Sequence, residues 1–421
     1  MSILDKASFY LPAGAAYKQS EIWAQKPLTD SAKCTFLRDS VSTRTTDCGE
    51  VGSVGNAIPA YRYRNSVPFL QLEPSSTNLI PSSEVISSAT FDQTTYVNNS
   101  VPSPSGLINA DFVKENSASG RHIVYYSISA TSGSSSVYSF SCFVKSAGRR
   151  YVVLSSHRDA KIPSTSLYPS VVFDLQEGTV ATVTAQVSAY GIESAGDGWY
   201  RIFITNSATG TSNGNWVVSL SNRADLDGSI ASGSPVYTGD NTSGIYIFGT
   251  QLEVQPAMSS YIKTTGSTAT RAQTRIRNAN TSLWNNAYGV LYADVYFYGG
   301  TSGQTLGIDG GGGRVCRIYI NQNGAIQGHY FESATYKANI TQSVSVGRHK
   351  VAYKFLSGSS ALFIDGVKVG TSSQAFNTAS FDTLRINELW AAYEYGGVDL
   401  YEAAVFDQTL NDDELISLTT L

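Results

Sequence analysis

Residues able to do chemistry are few in this chain, and their spacing points to contact rather than bond-breaking. Two Asp or Glu flanking a glycosidic bond are the usual route to catalysis on a β-sandwich. Here Glu332, Asp365, Asp382, Glu388, Glu394, Asp399 and Glu402 are dispersed, with no Glu-x-Asp-x-x-Glu run among them. His122, His157, His329 and His349 form no His-Glu-x-x-His pair. Gly310-Gly311-Gly312-Gly313 is followed by Arg314-Val315 rather than Lys-Ser/Thr, so it reads as a hairpin tip and not a phosphate cradle. No catalytic residue is expected, and the chain is read as a non-enzyme. Aromatic side chains are the better candidates, because an indole or phenol face offers an apolar platform for a sugar ring. Trp216 follows a Gly-Asn turn, and Trp390, Tyr393 and Tyr395 cluster beside Gly396-Gly397. These four are the carbohydrate-binding candidates, whereas Trp199 opens an alternating strand and reads as core. No cofactor is expected. Asp309, Asp365 and Asp382 are candidates for a structural calcium site. Calcium needs six or more oxygens and no local loop supplies them, so Asp365 reads as a turn residue.

Composition narrows the partners. Lys and Arg total 29 against 33 Asp and Glu, a net charge of −4 without a basic cluster, which argues against a nucleic-acid partner. Cys34, Cys48, Cys142 and Cys316 fit no metal spacing and are too sparse for a disulfide framework, with Cys34–Cys48 pairing left open. The opening Met1-Ser2-Ile3-Leu4-Asp5-Lys6 has no apolar core behind a basic start, so synthesis and folding in a cytosol are expected. No run of ~18 apolar residues suggests a membrane span.

The elements that must position these residues are strands. Aromatics reach 11% with 26 Tyr, Gly reaches 37, and charged residues are only 15%, as pleated surfaces joined by turns require. Short alternating runs recur at Val137–Val144, Tyr151–Leu154, Ser170–Asp174, Trp199–Ile204 and Asn215–Leu220. A second series runs through Gly289–Phe297, Arg317–Ile320, Arg348–Phe355, Leu362–Val369 and Asp399–Asp407. Asn323-Gly324 and Asp365-Gly366 are hairpin signals. Asn411 caps a short closing helix with Asp412, Asp413 and Glu414 in its first turn. The expected fold is all-β. An irregular N-terminal head (1–80) is followed by a jelly roll (81–268), a linker (269–281), a second antiparallel sandwich (282–421) and a short C-terminal helix.

Three segments carry a family resemblance. Ile245-Tyr246-Ile247-Phe248-Gly249-Thr250-Gln251-Leu252-Glu253, with Ser259-Ser260-Tyr261-Ile262 and Ala269-Thr270-Arg271-Ala272, resembles the end of carbohydrate-binding-module-like sandwiches in bacteriophage fibre and other virion proteins. Leu70-Gln71-Leu72-Glu73-Pro74-Ser75-Ser76-Thr77-Asn78-Leu79 is similar to a linker of the same proteins. Phe363-Ile364-Asp365-Gly366 and the closing Phe406-Asp407 with its acidic helix resemble the concanavalin-like or laminin-G-like lectin sandwich. The resemblance implies a phage fibre or decoration protein on the virion surface, made in the host bacterial cytoplasm. Its head would dock to other virion proteins, its copies would form a homo-oligomer, and its sandwiches would bind a host-surface or mucosal glycan. A purely structural virion protein and a glycan hydrolase are the alternatives.

Overall fold

The computed structural model describes residues 2–46, 48–64, 66–128, 136–157, 168–184, 187–208, 214–226, 234–298, 303–310, 313–321, 324–332, 335–377, 380–388 and 397–421. Strand accounts for 59% of the described residues and helix for 6%, so the all-β expectation holds. Among the described residues no helix is long and apolar enough to cross a membrane. The chain divides into two compact units, and neither is continuous in sequence. One comprises residues 1–41, 54–75 and 272–421, the other residues 42–53 and 76–271.

The first unit pairs an eight-stranded with a nine-stranded antiparallel sheet. Between them lies a core in which Phe9, Leu11, Leu291, Val295, Phe355 and Leu400 meet Ile22, Phe36, Ile276, Ile308, Ile318, Tyr330 and Ile386. The expected separate head is not seen. Phe9–Pro12 pairs with Glu402–Val405, Val67–Leu72 pairs with Val398–Leu400, and Lys33–Leu37 joins the nine-stranded sheet through Arg275–Asn278. The supposed linker is likewise two short strands, Ala269–Arg271 and Arg275–Asn278. The physical reason is that these N-terminal runs carry alternate apolar residues whose burial needs partners hundreds of positions away.

Two local signals are realised where they were read, and Asn323 of the Asn323-Gly324 turn lies outside the described residues. Asp365 and Gly366 both take positive φ (51° and 78°) in the hairpin joining Ser360–Ile364 to Val367–Ser372. The closing helix spans Asp412–Thr419, with Asn411 Oδ1 accepting from Glu414 N and Glu414 Oε2 accepting from Asn411 N, both at 2.9 Å. Leu415 and Leu418 of that helix cover the outer face of the eight-stranded sheet at Val290, Tyr292, Phe363 and Phe406. Asn411→Ala should lower the melting stability of this unit by about 1 kcal/mol, the worth of one side-chain cap; calorimetry of the purified variant is the check.

The second unit stacks two six-stranded sheets. Their inward rows, among them Val124, Phe140, Leu154, Phe173, Ile204, Val218 and Ile247, form one core. Its entry and exit are clamped by Asn78. The amide Nδ2 donates to Thr250 O (3.1 Å) and Ile262 O (2.9 Å), while Oδ1 accepts from Ile80 N and Leu252 N (3.1 Å each). Glu253, fully buried, accepts from Ser76 Oγ (2.6 Å), Ser259 N (2.8 Å) and Gln251 Nε2 (2.9 Å). The Thr-Asn-Leu and Gln-Leu-Glu segments are therefore two halves of one closure.

Candidate functional site

Strand periodicity builds the site on the outer face of the nine-stranded sheet. Apolar Ile22, Phe36, Ile276, Ile386, Ile308, Ile318 and Tyr330 point inward, so their neighbours at odd offsets point out. Register then places Glu21, Thr35, Arg277, Arg385, Gly307, Arg317, His329 and Asn339 opposite one another in a single transverse row. Side chains facing across neighbouring strands lie about 5 Å apart. Gly307, buried between Arg385 and Arg317, adds no side chain to the row.

Charge along this row is unequal. Glu388, only 4% exposed, receives Arg277 Nε at 2.5 Å and a second Arg277 contact through Nη2, with Arg275 Nη1 at 3.3 Å and Arg385 Nη1 at 3.2 Å. Burial pushes its carboxyl up, but Arg277, Arg385 and Arg275 together hold it below the ordinary range. Asp309 lies 2.8 Å from Arg385 Nε as an ion pair, out of line for a hydrogen bond. Lys33 is paired with Glu21. Arg317 has no carboxylate partner among the described residues; its Nε donates to His329 Nδ1 at 3.4 Å, and its guanidinium stacks 4.5 Å from the Tyr319 ring.

Two surfaces flank the row. On one side is a cleft of about 760 Å³, lined by Asp30, Ser31, Lys33, Thr35, Arg277, Asn280, Thr383 and Arg385. On the other is an aromatic group. Tyr319 stacks on His329 (centroids 5.4 Å apart), and Tyr336 meets His329 (4.8 Å) and Phe331 (5.0 Å) edge-on. Tyr336 is 49% exposed while His329 is 1% exposed. Burial, with Arg317 beside it, lowers the His329 imidazole to about 3 against a weaker upward pull from Asn339, so the ring is neutral at physiological pH. With Nδ1 accepting from Arg317, Nε2 carries the hydrogen, and Nε2 has no partner in hydrogen-bond geometry.

A second polar cluster sits on the outer face of the eight-stranded sheet. Arg64 donates to Tyr401 Oη (3.0 Å), Tyr298 Oη (2.9 Å) and Asp399 Oδ2 (2.8 Å) and lies 3.9 Å over the Tyr296 ring. Arg348 grips Asp294 through two bonds of 2.8 and 2.7 Å. These groups satisfy one another, which marks a structural network. Asp294 and Glu402 face each other across strands, the one directly paired set of carboxylates near this cluster. Asp294 is fully buried, and the Glu402 oxygens accept from Tyr10 (2.8 Å) and Tyr292 (3.1 Å). A general acid or base must reach substrate, and this pair faces its own sheet's donors.

Asp399 gives this cluster a pH signature. Burial raises its pKa to about 6 against the pull of Arg64, compared with about 3.9 unfolded. The folded state therefore holds the proton more tightly between those values, and this contribution to stability falls as pH rises from 4 to 6, then levels. The total is about 3 kcal/mol. Asp399→Asn should remove that segment. Urea unfolding of both proteins at pH 4, 5, 6 and 7 is the measurement, and a constant difference between them at every pH would refute the assignment.

The sequence-derived candidates fare differently. Trp216 is not a surface platform: it is fully buried in the second unit, with Tyr138 at 5.7 Å and Phe140 at 5.9 Å. Its strand alternates Trp216, Val218 and Leu220 inward, and that periodicity was the signal for core. Trp390, Tyr393 and Tyr395 lie outside the described residues, between Glu388 and Gly397. Trp199 is core, at 2% exposure. Of the calcium candidates, Asp365 accepts from Lys350 N (3.0 Å) and His349 Nδ1 (2.7 Å), Asp309 faces Arg385, and Asp382 accepts from Thr383 Oγ1 (2.8 Å). Among the described residues no three His, Cys, Asp or Glu side chains converge as metal ligands. Cys34 and Cys48 form no disulfide. The sequence reading of no catalytic residue took the chain to have no Gly-x-Ser-x-Gly elbow, yet Gly210-Thr211-Ser212-Asn213-Gly214 has that spacing. Residues 209–213 lie outside the described set, and the chain continues into the strand Gly214–Ser221 rather than the helix that a nucleophile elbow enters. The outer-face row was missed altogether. Arg275-Ile276-Arg277 and Arg317-Ile318-Tyr319 show the alternation, but register alone brings them together.

No family model matches the chain, and no curated protein matches it. Solved structures to which parts of the chain are similar include a CBM40 from the Ruminococcus gnavus IT-sialidase bound to α2,3-sialyllactose (20% identity, 32% of this chain and 84% of that chain, TM-score 0.28). Domain 4 of AbnA, a GH43 arabinanase of Geobacillus stearothermophilus in complex with arabinotriose, shares 14% identity over 39% of this chain and 82% of that one, with TM-score 0.28. Mouse laminin α1 domains LG4-5 share 11% over 70% and 90%, with TM-score 0.22. These neighbours are carbohydrate-binding-module and laminin-G sandwiches. At this identity and overlap nothing about their ligands transfers to this chain.

Proposed function

We propose that this protein is a non-catalytic component of a bacteriophage virion, a fibre or decoration protein that binds glycans of a host or mucosal surface. The observation that carries the binding part is the outer face of the nine-stranded sheet. There a polar cleft, a row of guanidinium groups and the half-exposed Tyr336 share one face, and a site with few convergent polar groups beside aromatic surface suits sugars. The virion setting rests on the resemblance of the Gln-Leu-Glu and Thr-Asn-Leu segments to phage proteins. Self-association and contacts with other virion proteins belong to the same proposal, because many copies raise weak single-site affinity. The burial of Trp216 favours a second reading for the other unit, a scaffold contacting virion proteins only.

Two measurements test this. Immunogold labelling of particles with antibody to the protein should decorate their surface; label confined to the bacterial cell would refute the virion assignment. A glycan array probed with the purified full chain should give specific hits. Silence across the array would leave the scaffold reading, and shortened chains after incubation with host capsule would mean hydrolysis.

A further inference from the structure

We infer that the outer face of the nine-stranded sheet selects acidic glycans, binding sugar carboxylates along the arginine row and a sugar ring on Tyr336 beside it; this rests on the glycan-binding reading above. Four guanidinium groups, of Arg275, Arg277, Arg385 and Arg317, share two carboxylates, Glu388 and Asp309, and Asp30 lines the adjoining cleft, leaving one positive charge in excess (4 − 3). Lys33 and Glu21 cancel. A guanidinium presents a planar fork matched to a carboxylate. Arg317 is the fork least committed, being held by an imidazole and a ring face instead of an acid. Gly307 beside it removes the side chain that would stand between Arg317 and Arg385.

A second observation points to a ligand on the same face. His329 is 1% exposed under the half-exposed Tyr336, and its ring engages the Asn339 side chain while Nε2 falls short of full hydrogen-bond geometry. A buried donor short of that geometry is uncommon in native proteins, and a hydroxyl-rich ligand is suited to meet it. Four strand spacings of ~4.8 Å put roughly 19 Å between the Arg277 and His329 strands, room for an oligosaccharide rather than one sugar.

The test is isothermal titration of the full chain with oligogalacturonate, alginate oligomers, hyaluronan and sialyllactose, alongside neutral galacto-oligosaccharides and dextran sulfate. At least one carboxylated glycan should bind about tenfold or more tightly than the neutral series, and its affinity should weaken with added salt. Arg317→Gln should weaken it roughly 10- to 100-fold in a protein that stays folded, with at most a small drop in melting temperature from the lost His329 bond and Tyr319 stack. Tyr336→Ala, at an exposed position, should weaken it without changing the salt slope. Equal binding of neutral glycans, equal binding of dextran sulfate at matched charge, or indifference to Arg317→Gln overturns the inference while leaving glycan binding standing. No binding by any glycan overturns both.

Discussion

Trp216→Ala is expected to destabilise the second unit by roughly 3–5 kcal/mol, the range for emptying a large aromatic from a packed interior. The indole is fully buried against Tyr138 and Phe140, so its removal leaves a void that two rings cannot close without leaving their rotamers. Its Nε1 has no hydrogen-bond partner, so Trp216→Phe should lose less, sacrificing ring volume and no polar contact. Chemical unfolding followed by Tyr and Trp fluorescence reads both losses. The paired control is binding: Trp216→Phe should bind any glycan as the parent does. A selective loss of binding in a fully folded Trp216→Phe protein would restore this residue as a contact.

Asn78→Ala should cost a similar amount, roughly 3–5 kcal/mol, by a different route. Asn78 uses both amide hydrogens and both lone pairs of its carbonyl oxygen on four buried backbone groups. Alanine leaves Ile80 N, Leu252 N, Thr250 O and Ile262 O without this partner, each at about 1–3 kcal/mol if none finds another. Asp at the same position keeps the shape but loses both donors and buries a charge, so Asn78→Asp should be no milder. Urea midpoints with unchanged m-values are the readout. A loss under about 1 kcal/mol would mean that the segment closes without its amide.

How far the sequence announced this structure depends on distance along the chain. The Asp365-Gly366 hairpin and the Asn411 cap were legible because each is decided within a few residues by positive φ or an orphan amide. The strand set was legible because alternation is local. What escaped was pairing. Phe9–Pro12 looked like part of a head because nothing nearby says that its partner is Glu402–Val405. The row from Thr35 through Arg277, Arg385, Gly307 and Arg317 to His329 escaped for the same reason: each residue is an ordinary outward strand position, and only register makes a site of them. Trp216 is the opposite case, a misreading of a periodicity that was present.

The split of the first unit has a consequence for its birth on the ribosome. Ser8 hydrogen-bonds Val405, 397 residues downstream. At about 5–20 residues per second, roughly 20–80 s of translation separate the two. Residues 76–271 can finish collapsing in that interval, while the early apolar ribbons from Phe9 to Leu72 wait without their neighbours. Nascent chains stalled before Val398 should therefore recruit holdase chaperones to those ribbons, and the arrival of Val398–Phe406 decides whether the first unit closes or is lost to aggregation.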